Sequence, residues 1–332
     1  MSHQTSLTSA EVGNLWNFYM ANTLSHCLLS HFLATVEDKE AGRILNKCDK
    51  LAVDIYEFVV KTYRSERYPL PVGFTEKDVN KSVPRLFSDN FYLEFMDMML
   101  KVGTIYYAIT LPNTSRPDMR KAITKFLFET VELANEMTDL MQRKGLYIRP
   151  PYMPPSEPEI VHKQSFFNGL FGDKRPLLGV EISQIFANLQ FNTLKAVLLI
   201  GFAQVAESQK IRDYFIRGKN INHKQDRDLL TVLEKEDLPA TIPSQYTVTT
   251  STVAPFSDKL MLFLVTSLSS AKARNFGDSI AVSPRHDLGV IYAKLFAETG
   301  NYAEDGGNLM IENGWMEQPP HTPDRHKLAM KT

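Results

Sequence analysis

The chain of 332 residues has little cysteine and almost no net charge. Its two cysteines, Cys27 and Cys48, show neither a CxxC pair nor a Cys/His spacing for zinc. We therefore expect two buried thiols in a reducing compartment rather than a disulfide framework. Lysine and arginine number 37 against 38 aspartates and glutamates, a net charge of −1. Because this balance offers no general attraction to nucleic acid or anionic membrane, no nucleic-acid partner is predicted.

Long apolar runs are also missing. The N-terminus lacks the basic start and apolar stretch of a signal peptide. The longest apolar stretches, 196–206 and 260–266, are shorter than the roughly 20 residues that span a bilayer. With 43% apolar and 23% charged residues, the composition is typical of a globular protein. The sequence therefore predicts no transmembrane segment and a soluble, cytoplasmic protein.

What the chain does contain is an internal repeat. Residues 11–69 align without a gap on residues 181–239, an offset of 170, and share 10 identities. Residues 87–151 align on residues 256–320, an offset of 169, and share 15 identities. Two long ungapped blocks separated by a single-residue shift indicate gene duplication. The chain is therefore predicted to be two fused copies of one module.

The apolar spacing of each copy is helical. In the first copy, Ser9 is the expected N-cap of a first helix, and a second runs from 39 to about 64. After a proline-rich connection, Ser88 caps a third helix to about residue 111. Asp118 lies in the first turn of a fourth helix, which Gly145 ends. The predicted fold class is all-α, with two tandem antiparallel four-helix bundles, ferritin-like, related by internal duplication.

We expect the N-terminal bundle to span residues 1–148 and the C-terminal bundle residues 178–332. Each bundle is expected to close around its own separate interior. The linker, residues 149–177, is rich in proline, which favours a stiff, extended path. It is nevertheless predicted to pack into a groove between the bundles, because it also carries Phe166, Phe167, Leu170 and Phe171. The alternating segment 246–253 is predicted to be extended loop within the second crossover.

No catalytic constellation is visible. A di-metal site in such a bundle needs Glu-x-x-His on two helices, together with a glutamate from each of the other two. Only Glu159 and His162 have that spacing, and they lie in the linker. No catalytic residue, metal ligand or cofactor is therefore predicted. His26 is predicted to be a satisfied histidine of the core or of an interface.

Polar positions on the inner seams supply the candidate ligand-binding residues. Asn22 and Asn192 occupy equivalent positions in apolar helical stripes. A buried amide is costly unless it is hydrogen-bonded, so both copies are expected to give it the same partner, with the fourth-helix glutamates as candidates. The residues could form a polar pocket for a small ligand or only register-fixing hydrogen bonds, and the sequence favours the latter. The six candidates are Asn22, Thr23, Glu129, Asn192, Thr193 and Glu298.

Five segments carry a family resemblance: GFTEKDVN, PRLFSD, GLYIRPPY, APFSDKLM and NGWMEQPP. They resemble a duplicated ferritin-like domain-of-unknown-function family of spore-forming Firmicutes, linked to spore coat proteins, over residues 7–328. The resemblance implies a two-bundle fold and supplies no catalytic residue. It implies a non-enzymatic structural or interaction protein of sporulation or stress, cytoplasmic or spore-associated, with protein partners or self-association. The alternative is a ferritin-like metal- or small-ligand-binding protein or oxidoreductase.

Overall fold

The computed structural model describes residues 5–170, 174–238 and 247–330. In these residues the fold is all-α, and each copy of the repeat contributes four long helices. Equivalent helices start 170 or 169 residues apart, as the sequence repeat requires, so the predicted duplication is confirmed. The helices are α1 Ser9–Thr35, α2 Lys39–Glu66, α3 Asp89–Thr110, α4 Pro117–Arg143, α5 Gly179–Val205, α6 Gln209–Glu234, α7 Asp258–Val282 and α8 His286–Glu312.

The helix ends follow local capping chemistry. The prediction that Ser9 caps α1 is wrong by one residue, because Thr8 and Glu11 form a reciprocal capping box there. Ser88 caps α3 as predicted, and its hydroxyl accepts a hydrogen bond from a backbone amide of the first turn at 3.4 Å. Gly145 follows α4 with a φ of +68°, where a residue with a side chain would be strained.

Within each copy, the helices pack as two hairpins joined by a long crossover. In the first copy α1 packs on α2, α3 packs on α4, and α2 contacts both α3 and α4. In the second copy α5 packs on α6 and α7, and α8 packs on α7 and α6. These neighbours agree with a bundle that has one long crossover. The ferritin-like assignment itself stays a prediction.

The two crossovers pair with each other across the copies. One antiparallel bridge joins Val79 to Phe256, and another joins Phe87 to Val248. Val248 is the repeat equivalent of Val79, and Phe256 is that of Phe87. Each copy therefore presents the same surface to the other, as around a two-fold axis. The described part of segment 246–253 is a loop, as predicted, with a bridge at Val248 and bends at Thr250 and Val253; Tyr246 lies outside the described residues.

Backbone hydrogen bonds repeat this symmetry. The amide of Asn80 donates to the carbonyl of Pro255 at 2.8 Å, and the amide of Thr249 donates to the carbonyl of Leu86 at 2.9 Å. The two bonds exchange equivalent positions of the repeat. These two amides and two carbonyls therefore satisfy each other across the copies.

One cluster of buried apolar side chains runs through both copies. The ring of Phe256 lies 6.4 Å from that of Phe32 on α1, and the ring of Phe87 lies 6.2 Å from that of Phe202 on α5. The prediction of two separate interiors is therefore wrong, because the crossover of each copy covers the first helix of the other. The domain limits at residues 148 and 178 stay a prediction.

The linker packs only at its ends. Its residues 152–163 are all exposed, so the predicted groove packing is wrong for this part. Prolines and glutamates separate the apolar residues here, and no continuous apolar face forms. Near its C-terminal end, the guanidinium of Arg175 lies 4.4 Å from the ring of Phe166, and Leu177 is buried. Phe171 lies outside the described residues.

Helix α5 is long and apolar enough to cross a membrane by length and composition. In its most apolar window, however, 72% of the residues are buried inside the protein. The helix also carries two buried charged side chains, Glu181 and Lys195. This is the packing of a core helix.

Candidate ligand cavity between the two copies

A cavity of about 450 Å³ lies where α3 and the end of α4 face α5 and α7. The volume is within the range of roughly 300–1,000 Å³ that is usual for small-molecule sites. Both copies are needed to form the cavity, because α3 and α4 belong to the first copy and α5 and α7 to the second. Much of its wall is apolar and consists of Met98, Val102, Ile105, Met141, Phe191 and Leu194.

One wall of the cavity is acidic. Glu94 and Asp97 lie one turn apart on α3, and each is 6% exposed. Both line the cavity. The equivalent residues of the second copy are Phe263 and Thr266. The two-fold relation of the copies therefore does not generate a second acidic cavity.

Burial perturbs both carboxyl groups. It raises the pKa of Glu94 to about 8, with a further rise from Asp97 and an opposing effect of Lys101. Burial also raises the pKa of Asp97, against the effect of the Lys101 ammonium, which lies 2.5 Å from Oδ2. Oδ1 of Asp97 is buried and has no hydrogen-bond partner among the described residues. This wall therefore offers one unused acceptor atom, Oδ1 of Asp97. It carries two carboxyl groups, those of Glu94 and Asp97, and one ammonium group, that of Lys101.

A buried amide lines the cavity from the second copy. Asn188 on α5 is 1% exposed. Its Nδ2 donates to the carbonyl of Gln184 at 2.8 Å and to the hydroxyl of Ser279 at 2.9 Å. Both N–H groups are thus used, which fixes the amide orientation. Oδ1 has no partner within the described chain, so this wall also offers an acceptor.

The sequence-predicted residues of the first copy do not line this cavity. Nδ2 of Asn22 donates to the carbonyl of Phe18 at 2.7 Å. The hydroxyl of Thr23 donates to the carbonyl of Tyr19 at 2.8 Å and accepts from the amide of Phe74 at 3.3 Å. These bonds join α1 to itself and to the crossover. They agree with the interpretation that Asn22 and Thr23 make structural hydrogen bonds.

The glutamates do not pair with the asparagines as suggested. Glu129 forms an ion pair with Lys125 at 3.6 Å, and Glu298 forms one with Lys224 at 2.6 Å. That prediction is wrong, because each glutamate forms its ion pair with a lysine instead. Thr193 donates to a carbonyl of its own helix at 3.0 Å. A binding role for the six residues stays a prediction.

The two asparagines do not share a partner either, so that expectation is also wrong. Asn22 lies beside the hydroxyl of Tyr107, whereas Asn192 lies beside the carboxyl of Asp226. The position equivalent to Asp226 is Tyr56 in the first copy. The surroundings of the amide therefore diverged after the duplication.

Several repeated identities belong to an ion cluster at one end of each bundle. Arg116 contacts Glu66 at 2.6 Å and Asp118 at 2.7 Å, while Glu11 accepts the backbone amide of Arg116 at 2.8 Å. In the second copy Arg285 makes the equivalent contacts. These identities therefore have a structural role, which the sequence alone did not reveal.

The two cysteines and His26 offer no reactive group. Cys27 and Cys48 are buried and free, as predicted, and burial raises the pKa of each to about 12. His26 contacts Asp49 at 2.7 Å, and this hydrogen bond raises its pKa. Over residues 5–170, 174–238 and 247–330, no three His, Cys, Asp or Glu side chains are grouped to hold a metal ion.

Comparisons with known proteins agree with the repeat. A family model described as "Protein of unknown function (DUF3231)" matches residues 1–158 and again residues 165–328. A crystal structure described as a "putative spore coat protein" from Bacillus halodurans C-125 is 18% identical and has a TM-score of 0.42. The match covers 46% of this chain and 98% of that chain, and it is too distant to bear on function. No curated protein matches.

Proposed function

We propose that this chain, which belongs to the DUF3231 family, is a non-enzymatic binding protein for a small apolar molecule with a protonated amine. The amine would bind in the cavity between the two copies. The observation that carries the proposal is the pairing of an apolar wall with unused buried acceptors, Oδ1 of Asp97 and Oδ1 of Asn188. Such atoms select a ligand that brings N–H donors.

The charges of the cavity favour a cation. Lys101 stands beside Asp97, and the described lining on α3 carries two carboxyl groups, those of Glu94 and Asp97, and one ammonium group. The raised pKa of Glu94 reflects the cost of holding both carboxylates charged in one buried place. A ligand ammonium would offset that cost. A ligand carboxylate would increase it.

The residues around the cavity support binding rather than catalysis. None of the described residues that line it is a serine, a cysteine or a histidine. A serine or cysteine nucleophile activated by a hydrogen-bonded histidine is therefore missing from this described wall. The side chains that are present can hold and orient a ligand.

A role in sporulation or stress through protein contacts is part of the same proposal. It rests on the family resemblance of segments such as GFTEKDVN and NGWMEQPP. Quantitative proteomics of the source bacterium tests it: the protein should accumulate during sporulation or stress and be found in the cytoplasm or the spore. Equal abundance in growing and sporulating or stressed cells would contradict this part.

Isothermal titration of the full chain with n-octylammonium, octanol and octanoate tests the binding site. We expect binding of n-octylammonium, weaker binding of octanol and no binding of octanoate. Asp97→Asn combined with Glu94→Gln should weaken n-octylammonium binding at least tenfold. The matched control is Asp278→Asn, an exposed carboxylate at the cavity edge that should matter little. Equal binding of all three compounds, or no effect of the double variant, would contradict the proposal.

A further inference from the structure

A second buried polar region crosses the interior of the C-terminal bundle. It is formed by side chains that are at most 8% exposed and come from three helices. We name it the polar layer. Its members are Asn192, Lys195, Asn222, Asp226, Ser269 and Lys272.

The polar layer interrupts the apolar core. Beyond it lies a smaller apolar cluster that belongs to the second copy alone and includes Ile185, Leu229 and Phe276. In the first copy the equivalents of Ser269 and Asn222 are Leu100 and Ala52. The equivalents of Lys195 and Lys272 are Ser25 and Gly103, so the same fold closes without the two lysines, although Asn22 keeps the amide of Asn192. The layer is a feature of the second copy and not a requirement of the bundle.

The two lysines of the layer form no direct ion pair within the described residues. Lys195 and Lys272 are each 1% exposed. Nζ of Lys195 contacts the hydroxyl of Ser269 at 2.6 Å, and Nζ of Lys272 contacts Oδ1 of Asn222 at 2.8 Å. Within the described residues, neither Nζ has a carboxylate oxygen within 4.0 Å. A buried ammonium without an opposite charge is costly, so the layer is electrostatically incomplete.

Nearby acids complete it only in part, because Asp226 and Glu298 attract Lys272 from beyond ion-pair distance. Asp226 is buried, and burial raises its pKa to about 6. Glu298 is paired with Lys224 near the surface. Burial lowers the pKa of Lys195 to about 7. Burial and the charge of Lys195 lower the pKa of Lys272, against the opposing attraction of Asp226 and Glu298. A further negative charge would stabilise the charged form of the two lysines.

Unused hydrogen-bonding capacity lies in the same layer. Each ammonium has three N–H donors, and each lysine has one hydrogen-bond partner among the described residues. Asn192 is fully buried beside the carboxyl of Asp226, and its Nδ2 makes no hydrogen bond of normal geometry within the described chain. Ser269, the partner of Lys195, is one turn from Lys272 on α7, which brings the two lysines to the same level of the bundle.

We propose that the polar layer holds one small inorganic anion of chloride size between Lys195 and Lys272. The anion accepts N–H groups from both ammoniums and from Nδ2 of Asn192, and it supplies the missing charge. We take the anion to be a single small ion because all members of the layer are at least nine-tenths buried. The layer shares no residue with the cavity between the copies, so the two proposals stand independently.

Anomalous diffraction gives the direct test. Crystals of the full chain, prepared without chloride and in sodium bromide, should show a bromide peak within hydrogen-bond distance of both lysine Nζ atoms. A peak that remains in the Lys195→Met, Lys272→Met variant would mean an adventitious ion only. No peak, or a water network between neutral amines, would overturn the proposal.

Thermal unfolding at constant ionic strength gives a second test. Replacing gluconate by chloride or bromide should raise Tm. The rise should be about 2 °C for each tenfold increase in the halide concentration above its dissociation constant. The double lysine variant should lose this response. Lys210→Met removes an exposed lysine paired with Glu312 and should keep it. Stabilisation by phosphate alone, or an anion response that survives in the double variant, would overturn the proposal. If the variant does not fold, the bromide map of the unaltered chain still decides.

Discussion

The ring of Phe256 lies 6.4 Å from the ring of Phe32, although the two residues belong to different copies of the repeat. The equivalent pair, Phe87 and Phe202, makes the same contact in the opposite direction. Each copy therefore lends part of its crossover to the core of the other. The two bundles are one structural unit, and the cavity between them is a fixed feature of that unit.

Unfolding should accordingly be a single event. Trp16 lies in the first copy and Trp315 in the second, so Trp16→Phe and Trp315→Phe leave one fluorescent reporter in each half. The two reporters should give coincident denaturant transitions. Two separated transitions would show that the copies unfold independently.

Phe256→Ala should destabilise the whole chain by about 3–5 kcal/mol, because it opens a void in the shared core. Denaturant unfolding, followed by either tryptophan, measures the loss. Phe128→Ala is the matched control, since Phe128 is 63% exposed and its removal should change stability by no more than about 0.5 kcal/mol. Loss of stability in one half only would contradict the shared core.

The exposed linker offers an independent test of the same unit. A glutamate-specific protease should cleave after Glu159, because residues 152–163 are exposed. The two fragments should still elute together in size-exclusion chromatography, since the shared core holds them. Separation of the fragments without denaturant would contradict this expectation.

The ion cluster around Arg116 at one end of the first bundle should make the free energy of unfolding depend on pH. Burial opposes ionisation of Glu11, but hydrogen bonds from Thr8, Arg116 and Ser115 lower its pKa to about 2. Its folded pKa is below its unfolded value, so its contribution is complete above about pH 4.5 and is lost as the pH falls towards 2. Urea unfolding at several pH values should show this slope. Glu11→Gln should flatten it, and an unchanged slope would contradict the role of Glu11.

Lys101→Met should increase the affinity for n-octylammonium about two- to fivefold, because Lys101 opposes the negative charge of Glu94 and Asp97. Isothermal titration measures the change. Lys47→Met is the control, since it removes an exposed lysine from a surface pair with Glu136. Weaker binding in the Lys101 variant would mean that the lysine holds the ligand.

The helices were predictable because their signals are local. Ser88 before an apolar run and Gly145 after one mark helix ends by themselves. The duplication repeats each signal in the second copy. The shared core was not predictable in this way. The sequence around Phe87 and Phe256 is compatible with packing inside their own copy and with packing on the other copy. It therefore does not distinguish the two arrangements.

The cavity was missed for a related reason. Glu94 and Asp97, one turn apart on a helix, look like part of a solvated face. The surrounding sequence FYLEFMDMML gives a signal, because apolar residues on all sides leave the helix no exposed face for the two acids. Lys195 and Lys272 carry a weaker signal, since an isolated lysine in an amphipathic helix is usually exposed.

The most direct measurement of the proposed site is the titration of Glu94, followed by carbon NMR of the labelled carboxyl group. In the free protein Glu94 should titrate near pH 8, because burial and Asp97 disfavour its charge. Saturation with n-octylammonium should lower this pKa by one unit or more, since the ligand cation favours the carboxylate. A Glu94 that titrates at its ordinary value, or that ignores the ligand, would contradict an amine site between the two copies.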